Sequence, residues 1–250
     1  MNLIILESAE VDGEGRVRLA GPRATHLLDV LRATSGQGVR VGLLDGPRGT
    51  ATVGSTEGGI VELRCVFEGT TQDRPRVDLL LAVPRPKVMR RLWAQLAALG
   101  VGRVILTNAE RVERPYFDTH MLRPESYRPL LIEGLQQARD TRLPVVSIHR
   151  RFKVLVEDDL DGFTDASLRL VADPSAEVSI SAVVRARIGA DRAARALLAI
   201  GPEGGWNAFE LDLLESHGFH RAGMGPRTLR TDTACLALIA LVHEAMPAPA

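Results

Sequence analysis

The sequence predicts two domains, a small β-barrel over residues 1–70 and an α/β domain over residues 76–250. In the first part, short apolar strands are bounded by Gly, Asp and Pro turns. From Val77 onward, continuous apolar strands alternate with amphipathic helical segments, which is typical of a parallel sheet covered on both faces. A polar connection over residues 68–75 separates the two patterns.

The first domain is predicted to be mostly strands with one helix, over residues 22–33, where apolar residues recur at helical spacing. In the second domain, one more strand should end just before Gly223. The other predicted strands cover residues 3–6, 17–19, 39–44, 50–55, 60–67, 77–83, 104–107, 145–148, 168–172 and 196–200. The remaining predicted helices cover residues 87–99, 124–139, 179–188, 208–217 and 231–245.

Composition indicates an ordinary globular protein, since 45% of the 250 residues are hydrophobic and 25% are charged. Cys65 and Cys235 are far apart and show no metal-ligand spacing, so we expect no disulfide framework and no metal site. The N-terminus lacks the pattern of a signal peptide. The longest apolar run, over residues 234–242, is too short for a membrane span. A soluble cytoplasmic protein with no membrane partner is therefore expected.

The net charge of zero conceals an uneven distribution along the chain. Residues 1–70 carry seven basic and nine acidic side chains, and residues 152–250 carry nine and fourteen. In contrast, residues 74–151 carry fifteen basic and seven acidic side chains. A basic middle segment in a neutral chain is typical of a phosphate-facing surface, although a solvated charged face would give the same pattern.

Three predicted strand ends contain the candidate ligand site, because ligands of open parallel sheets bind beyond the carboxyl ends of strands. They are residues 171–174, 200–206 and 223–230, and two of them contain a Gly-Pro step. Glycines there permit close approach of a ligand or a crossing chain, although they also serve simple turns. No P-loop and no GxGxxG motif occurs.

Four charged side chains are predicted to lie in these loops: Glu203, Arg227, Arg230 and Asp232. Each one has a plain structural explanation, since Glu203 could cap its turn and Arg230 could pair with Asp232 at a helix start. The two strands that precede these loops are taken to be adjacent. A functional cluster is favoured because two arginines and two carboxylates then lie close together at glycine-rich strand ends.

Two C-terminal segments, "AIGPEGGWNAFELDLLESHGF" and "GMGPRTLRTDTACLALIAL", resemble the C-terminal region of the bacterial 16S ribosomal RNA (uracil-N3)-methyltransferases. These enzymes belong to the SPOUT class, whose parallel α/β domain ends in a trefoil knot. Upstream, "THLLDVLRATSGQGVRVGLLDG" is similar to part of the family's N-terminal PUA-like RNA-binding domain. The sequence departs from the family's usual glutamate at Ala98, and its usual TET triplet is Thr231-Asp232-Thr233 here.

The resemblance implies that S-adenosylmethionine (SAM) binds in a pocket formed by three loops of a knot near residues 168–246. It implies methylation of N3 of a uridine, with Arg230, Glu203 and Asp232 as candidate catalytic residues. Either carboxylate could accept the proton. The expected cofactor-binding residues are Val171, Ala172, Pro174, Ile200, Gly201, Pro202, Gly204, Gly205, Met224, Gly225, Leu229, Thr231, Thr233 and Ala234.

Small-subunit ribosomal RNA is the expected partner, either naked or within the assembled 30S subunit. The resemblance also implies a homodimer. The chief alternative is a non-catalytic RNA-binding ribosome-assembly factor on the same scaffold. The expected RNA-binding residues are Arg23, His26, Arg32, Arg85, Lys87, Arg90, Arg91, Arg111, Arg114 and Arg227.

Overall fold

The computed structural model describes residues 3–248, which divide into two compact units. The first unit contains the described chain up to residue 74 together with residues 132–143. The second unit contains the rest of the described chain.

The segment over residues 132–143 belongs to the first unit, whereas sequence analysis assigned it to the second domain. Thr141 accounts for this difference, because it is fully buried against the turn that follows the first unit's third strand. Its hydroxyl donates a hydrogen bond to the Gly46 carbonyl at 2.7 Å, and its carbonyl accepts one from the Asp45 N–H at 2.8 Å. These partners are almost one hundred residues apart in sequence, so no local pattern indicates them.

The first unit contains a single five-stranded sheet in the order β1-β3-β4-β5-β2. Only the β1–β3 pair is parallel. Because β1 and β2 are edge strands, the described sheet is open, whereas the sequence predicted a small β-barrel. The strands are β1 (Ile4–Leu6), β2 (Arg16–Leu19), β3 (Gly38–Leu43), β4 (Arg48–Val53) and β5 (Val61–Phe67).

The helix of the first unit, α1 (Pro22–Thr25), continues as a π-helical turn through Val30. It ends before residue 33, the predicted boundary, because Arg32 adopts a left-handed backbone with φ of 49°. Leu27 is buried in the core, which is formed by alternate residues of the strands. Val30, three residues later, is exposed.

The second unit is built on a six-stranded sheet in which every pairing is parallel, as the sequence predicted. The strand order is β11-β9-β10-β6-β7-β8. The strands are β6 (Val77–Ala82), β7 (Val101–Thr107), β8 (Val145–His149), β9 (Leu168–Ala172), β10 (Ala196–Ile200) and β11 (Phe219–Ala222).

The helices that follow these strands start and end within about two residues of the predicted bounds, with one exception. The exception is a helical segment over residues 152–163 that the sequence did not predict, which consists of two short helices joined by a π-helical turn. Acidic residues dominate the centre of this segment and obscure its apolar period. The helices are α2 (Pro86–Ala98), α3 (Pro124–Ala138), α4 (Phe152–Val154), α5 (Leu160–Phe163), α6 (Ile180–Ile188), α7 (Ala208–Ser216) and α8 (Thr231–Ala245).

The strand order corrects one inference about the candidate site. The two Gly-Pro steps, at residues 201–202 and 225–226, follow β10 and β11, and these strands were taken to be neighbours. In the structure β9 lies between them. The chain leaves β10 through α7 and returns as β11 on the far side of β9, so the end of β9 lies at the centre of the site.

Candidate active site

A cavity of about 270 Å³ lies at the carboxyl ends of β9, β10 and β11. Its volume is close to the lower end of the range for small-molecule sites, about 300 to 1,000 Å³. Residues from the three strand ends and from two helices form its walls. The lining residues are Ala172, Asp173, Pro174, Ile200, Gly201, Pro202, Glu203, Gly204, Gly205, Trp206, Leu211, Ala222, Gly223, Met224, Gly225, Arg227, Thr228, Leu229, Thr231, Ala234 and Leu238.

Twelve of the fourteen expected cofactor-binding residues line this cavity. The two others, Val171 and Thr233, are absent from the described lining: Val171 is buried in β9, and Thr233 is exposed in the first turn of α8. Asp173, Trp206 and Leu211 also line the cavity, although the sequence did not predict them as cofactor-binding residues. The glycines in the sequence indicated which loops form the cavity, but not which side chains complete it.

Gly223 lets the segment after β9 and the segment after β11 run side by side at close range. Its N–H donates to the Val178 carbonyl at 3.0 Å, and its carbonyl accepts from the Ile180 N–H at 2.8 Å. A side chain at this position would place Cβ only 2.8 Å from the Asp173 carbonyl oxygen. This close approach therefore requires glycine.

The loop after β10 is shaped by its glycines and by Trp206. The Gly205 N–H donates to the Pro202 carbonyl at 2.8 Å, and Gly205 has a φ of 73° that favours glycine. A Cβ on Gly201 would lie 3.1 to 3.2 Å from the backbone and ring of Trp206. The Trp206 ring stacks on Phe152, with a centroid separation of 5.2 Å.

The loop after β7 is attached to this glycine-rich loop. The Arg111 guanidinium donates to the Gly204 carbonyl, and the Glu110 N–H donates to the Glu210 carboxylate at 2.7 Å. Glu210 is buried and also forms a capping box with Asn207 at the start of α7. Arg111, which was expected to contact RNA, thus helps to hold a wall of the cavity.

Glu203 lines the cavity, and its side chain is exposed. Its carboxylate accepts a hydrogen bond of 3.3 Å from the backbone N–H of Arg85, the residue that precedes α2. This carboxylate is therefore positioned at the rim of the cavity while it stays accessible to a ligand.

Asp232 does not belong to the described lining, because its carboxylate is bound elsewhere. Arg91 of α2 donates to it at 2.6 Å, and this hydrogen bond holds the pKa of Asp232 below its ordinary value. The pairing suggested by the sequence, of Asp232 with Arg230, does not occur. Arg230 is exposed at the residue before α8, and Arg227 is exposed in the cavity wall.

The remaining expected RNA-binding residues differ in their surroundings. Arg23 is engaged within the first unit: it donates to the Ile5 carbonyl at 3.2 Å and to Glu10, whose pKa it lowers. His26 is half-buried. The others have exposed side chains, namely Arg32, Arg85, Lys87, Arg90 and Arg114.

A set of arginines that was not predicted to bind RNA lies on the exposed face of the first unit's sheet. Arg16 of β2 lies directly opposite Arg64 of β5, and Arg64 is in turn opposite Thr52. In the sequence, arginines alternate with apolar residues, as in Arg16-Val17-Arg18-Leu19. This period of two is typical of a strand with one buried face and one exposed face, and it could have predicted the set. We call this set the arginine face: Arg16, Arg18, Arg40, Arg48 and Arg64.

Two further findings concern metal ions and membranes. Within residues 3–248, no cluster of three or more His, Cys, Asp and Glu side chains is placed to hold a metal ion. None of the helices in that part of the chain has the length and apolar character needed to cross a membrane.

Replacing Gly223 with alanine should destabilise the second unit, because the new Cβ would meet a backbone carbonyl that cannot rotate away. Overpacking of this kind costs about 1–3 kcal/mol, or several degrees in Tm for a chain of this size. Differential scanning calorimetry measures the change. Gly162→Ala is the matched control, since nothing lies within 4 Å of its Cβ position. Equal Tm values for the two variants would show that the close approach at Gly223 does not require glycine.

Comparisons with known proteins agree with this architecture. Over residues 71–243 the chain matches the family model described as an RNA methyltransferase domain. It is 29% identical to the ribosomal RNA small subunit methyltransferase E of Treponema pallidum, over 97% of this chain and 90% of that protein. It is 23% identical to the ribosomal RNA small subunit methyltransferase E 1 of Borreliella burgdorferi, over 95% of each chain.

A solved structure shares the fold over almost the whole chain. This is the ribosomal RNA small subunit methyltransferase E of Neisseria gonorrhoeae bound to S-adenosyl methionine, with a TM-score of 0.75, 22% identity and 98% coverage of each chain. The family match covers more than half of the sequence, and the cavity lies within it. The chain therefore belongs to the RNA methyltransferase domain family.

Proposed function

We propose that this protein uses SAM to methylate N3 of a uridine in small-subunit ribosomal RNA. The observation that carries this proposal is the cavity at the ends of β9, β10 and β11, in a chain whose relatives are named ribosomal RNA small subunit methyltransferases. A related structure with the same fold has SAM bound.

The cavity has the chemistry that SAM requires. Apolar side chains of Ile200, Leu229 and Leu238 offer surface for an adenine ring, and the glycine-rich loops offer backbone N–H and carbonyl groups for its polar edges. When bound, SAM supplies a methyl group on a positively charged sulfur. The close approach of two chain segments at Gly223 supports the further proposal that the C-terminal part of this unit is a trefoil knot.

The residues at the rim would handle the charge and the proton. N3 of uracil carries a proton that must leave before the nitrogen can attack, so a base and an anion-binding group are needed. Glu203 is the proposed base, because it lines the cavity and is accessible. Arg230 is the proposed group that binds the negative charge developing on the uracil oxygens.

Basic residues near the start of α2 would bind RNA phosphates. Arg85, Lys87 and Arg90 are exposed there, and Arg85 is joined by its backbone to Glu203. This connection supports a role for that end of α2 in presenting RNA at the cavity. Arg227 in the wall and exposed Arg114 would add phosphate contacts.

The arginine face is a second proposed phosphate-binding surface. Arg16 and Arg64 are directly opposite each other, and two such arginines on a sheet repel. Arg16 pairs with Glu14 and Arg18 pairs with Glu62, and a bound anion would neutralise the positive charge that remains on this face. We propose that this face, together with exposed Arg32, contacts the RNA backbone.

The double variant Arg16→Ser/Arg64→Ser should weaken RNA binding and make it less sensitive to salt. Each lost phosphate contact lowers the slope of log K against log salt by about 0.7 to 0.9, so a change of roughly 1.4 to 1.8 is expected. Filter binding at several salt concentrations measures it. Arg185→Ser, which removes an exposed arginine of α6 paired with Glu244, is the control. An unchanged slope in the double variant would rule out this surface.

The proposal includes a cytoplasmic homodimer that acts on ribosomal RNA, either naked or within the 30S subunit. Exposed apolar side chains of the second unit, Val178, Phe209 and Met224, support association with another surface. Light scattering tests the dimer, and methylation assays on naked RNA and on purified subunits separate the two substrates.

Two measurements test the function. Calorimetry should show that the chain binds SAM, and mass spectrometry of ribosomal RNA should show one N3-methyluridine that disappears in a deletion strain. An unchanged modification map, with SAM bound or not, would favour the non-catalytic assembly factor.

A further inference from the structure

Trp206 has an unusual position among the residues of the cavity. Of the described side chains that line it, only that of Trp206 has a buried nitrogen or oxygen without a hydrogen-bond partner. Trp206 is 7% exposed, and its Nε1 is shielded from solvent. The indole N–H is a donor and cannot act as an acceptor, so only an incoming acceptor can satisfy it.

Packing alone does not require this N–H group. The ring stacks on Phe152 and lies against Gly201, and neither of these packing contacts needs a hydrogen-bond donor. A buried donor without a partner destabilises a protein. Such a donor in a ligand cavity is well placed to donate a hydrogen bond to an acceptor atom of the ligand.

The position of Trp206 is held from both sides. The next residue, Asn207, accepts from the Glu210 N–H at 2.8 Å and donates to the Glu210 carboxylate at 2.8 Å. On the other side, the glycine-rich turn of residues 201–205 covers the ring, with Gly205 in a left-handed conformation. The ring is thus fixed at the start of α7, and Gly201 of the turn lies against its indole N–H group.

We propose that the indole N–H of Trp206 donates a hydrogen bond to SAM, and that this bond forms as the turn of residues 201–205 adjusts around the cofactor. SAM carries suitable acceptors in its carboxylate, its ribose oxygens and its adenine nitrogens. This inference rests on the proposed function, and it assigns a cofactor contact to a residue that the glycine motif does not indicate.

The variant Trp206→Phe separates the hydrogen bond from the packing. It removes the donor and keeps an aromatic ring against Phe152. Calorimetry should show SAM binding weakened by roughly three- to tenfold, the usual effect of losing one hydrogen bond. The Tm of the unliganded variant should fall less than that of the control variant described next, because removal of an unsatisfied donor partly offsets the lost buried carbon surface.

Trp93→Phe is the matched control, since the chain has only two tryptophans. Trp93 is fully buried in α2, and its Nε1–H donates to the Met121 carbonyl at 3.0 Å. This variant should lower Tm and leave the affinity for SAM unchanged. Only Trp206→Phe is therefore expected to weaken SAM binding.

A second measurement uses Trp206 itself. In the Trp93→Phe variant, Trp206 is the only remaining tryptophan, so its fluorescence should shift on titration with SAM. Equal SAM affinity in wild type and Trp206→Phe would overturn the inference, as would a Tm loss in Trp206→Phe like that of the control. If the wild-type chain binds no SAM at all, the proposed function fails with it.

Discussion

Replacing Arg230 with alanine is expected to lower the rate of methyl transfer by about 10²- to 10³-fold. This is the effect of removing one group that binds charge developing in a transition state. Arg230 makes no ion pair with another residue in the described chain, and its side chain does not cap α8. The loss should therefore appear in catalysis, with Tm and SAM affinity close to those of the wild type.

Single-turnover methylation with saturating SAM and RNA measures this effect, because it separates the chemical step from binding. Arg185→Ala removes an exposed arginine of α6 that pairs with Glu244, and it controls for a general loss of positive charge. Full activity of the Arg230→Ala variant would show that the charge on the uracil oxygens is stabilised by another group.

Replacing Glu203 with glutamine is expected to reduce the rate by about 10²- to 10⁴-fold, as is usual when a general base is removed. Asp232→Asn should have a much smaller effect. Glu203 lies in the cavity wall, whereas Asp232 faces Arg91 and stays outside the described lining. Both substitutions preserve shape and remove one negative charge, so each is the control for the other.

Asp232 differs from Glu203 because it is paired with Arg91, a contact that the sequence does not show. The hydrogen bond from Arg91 keeps the pKa of Asp232 below its ordinary value, so the group is ionised at neutral pH and is a weak proton acceptor. Arg91 is 56% exposed, and breaking this pair should cost no more than about 1 kcal/mol in stability. A large rate loss in Asp232→Asn with little loss in Glu203→Gln would reverse the assignment.

Much of the second unit could be predicted because its signals are local. The bounds of β9, β10 and α8 are those that the apolar runs and the Gly-Pro and Thr-Asp boundaries indicated. Twelve of the expected cofactor-binding residues lie together in one cavity, because parallel strands end at the same edge of a sheet. Strand and helix periods are properties of a few neighbouring residues, and a sequence shows them directly.

The tertiary structure decided the features that depend on residues far apart in sequence. It placed β9 between β10 and β11, joined Arg91 to Asp232 across 141 positions, and set Phe152 against Trp206. It also grouped residues 132–143 with the first unit. The sequence by itself thus determined which loops form the candidate site. Only the fold decided which of their side chains are paired and which face the cavity, because contacts between distant residues leave no local pattern.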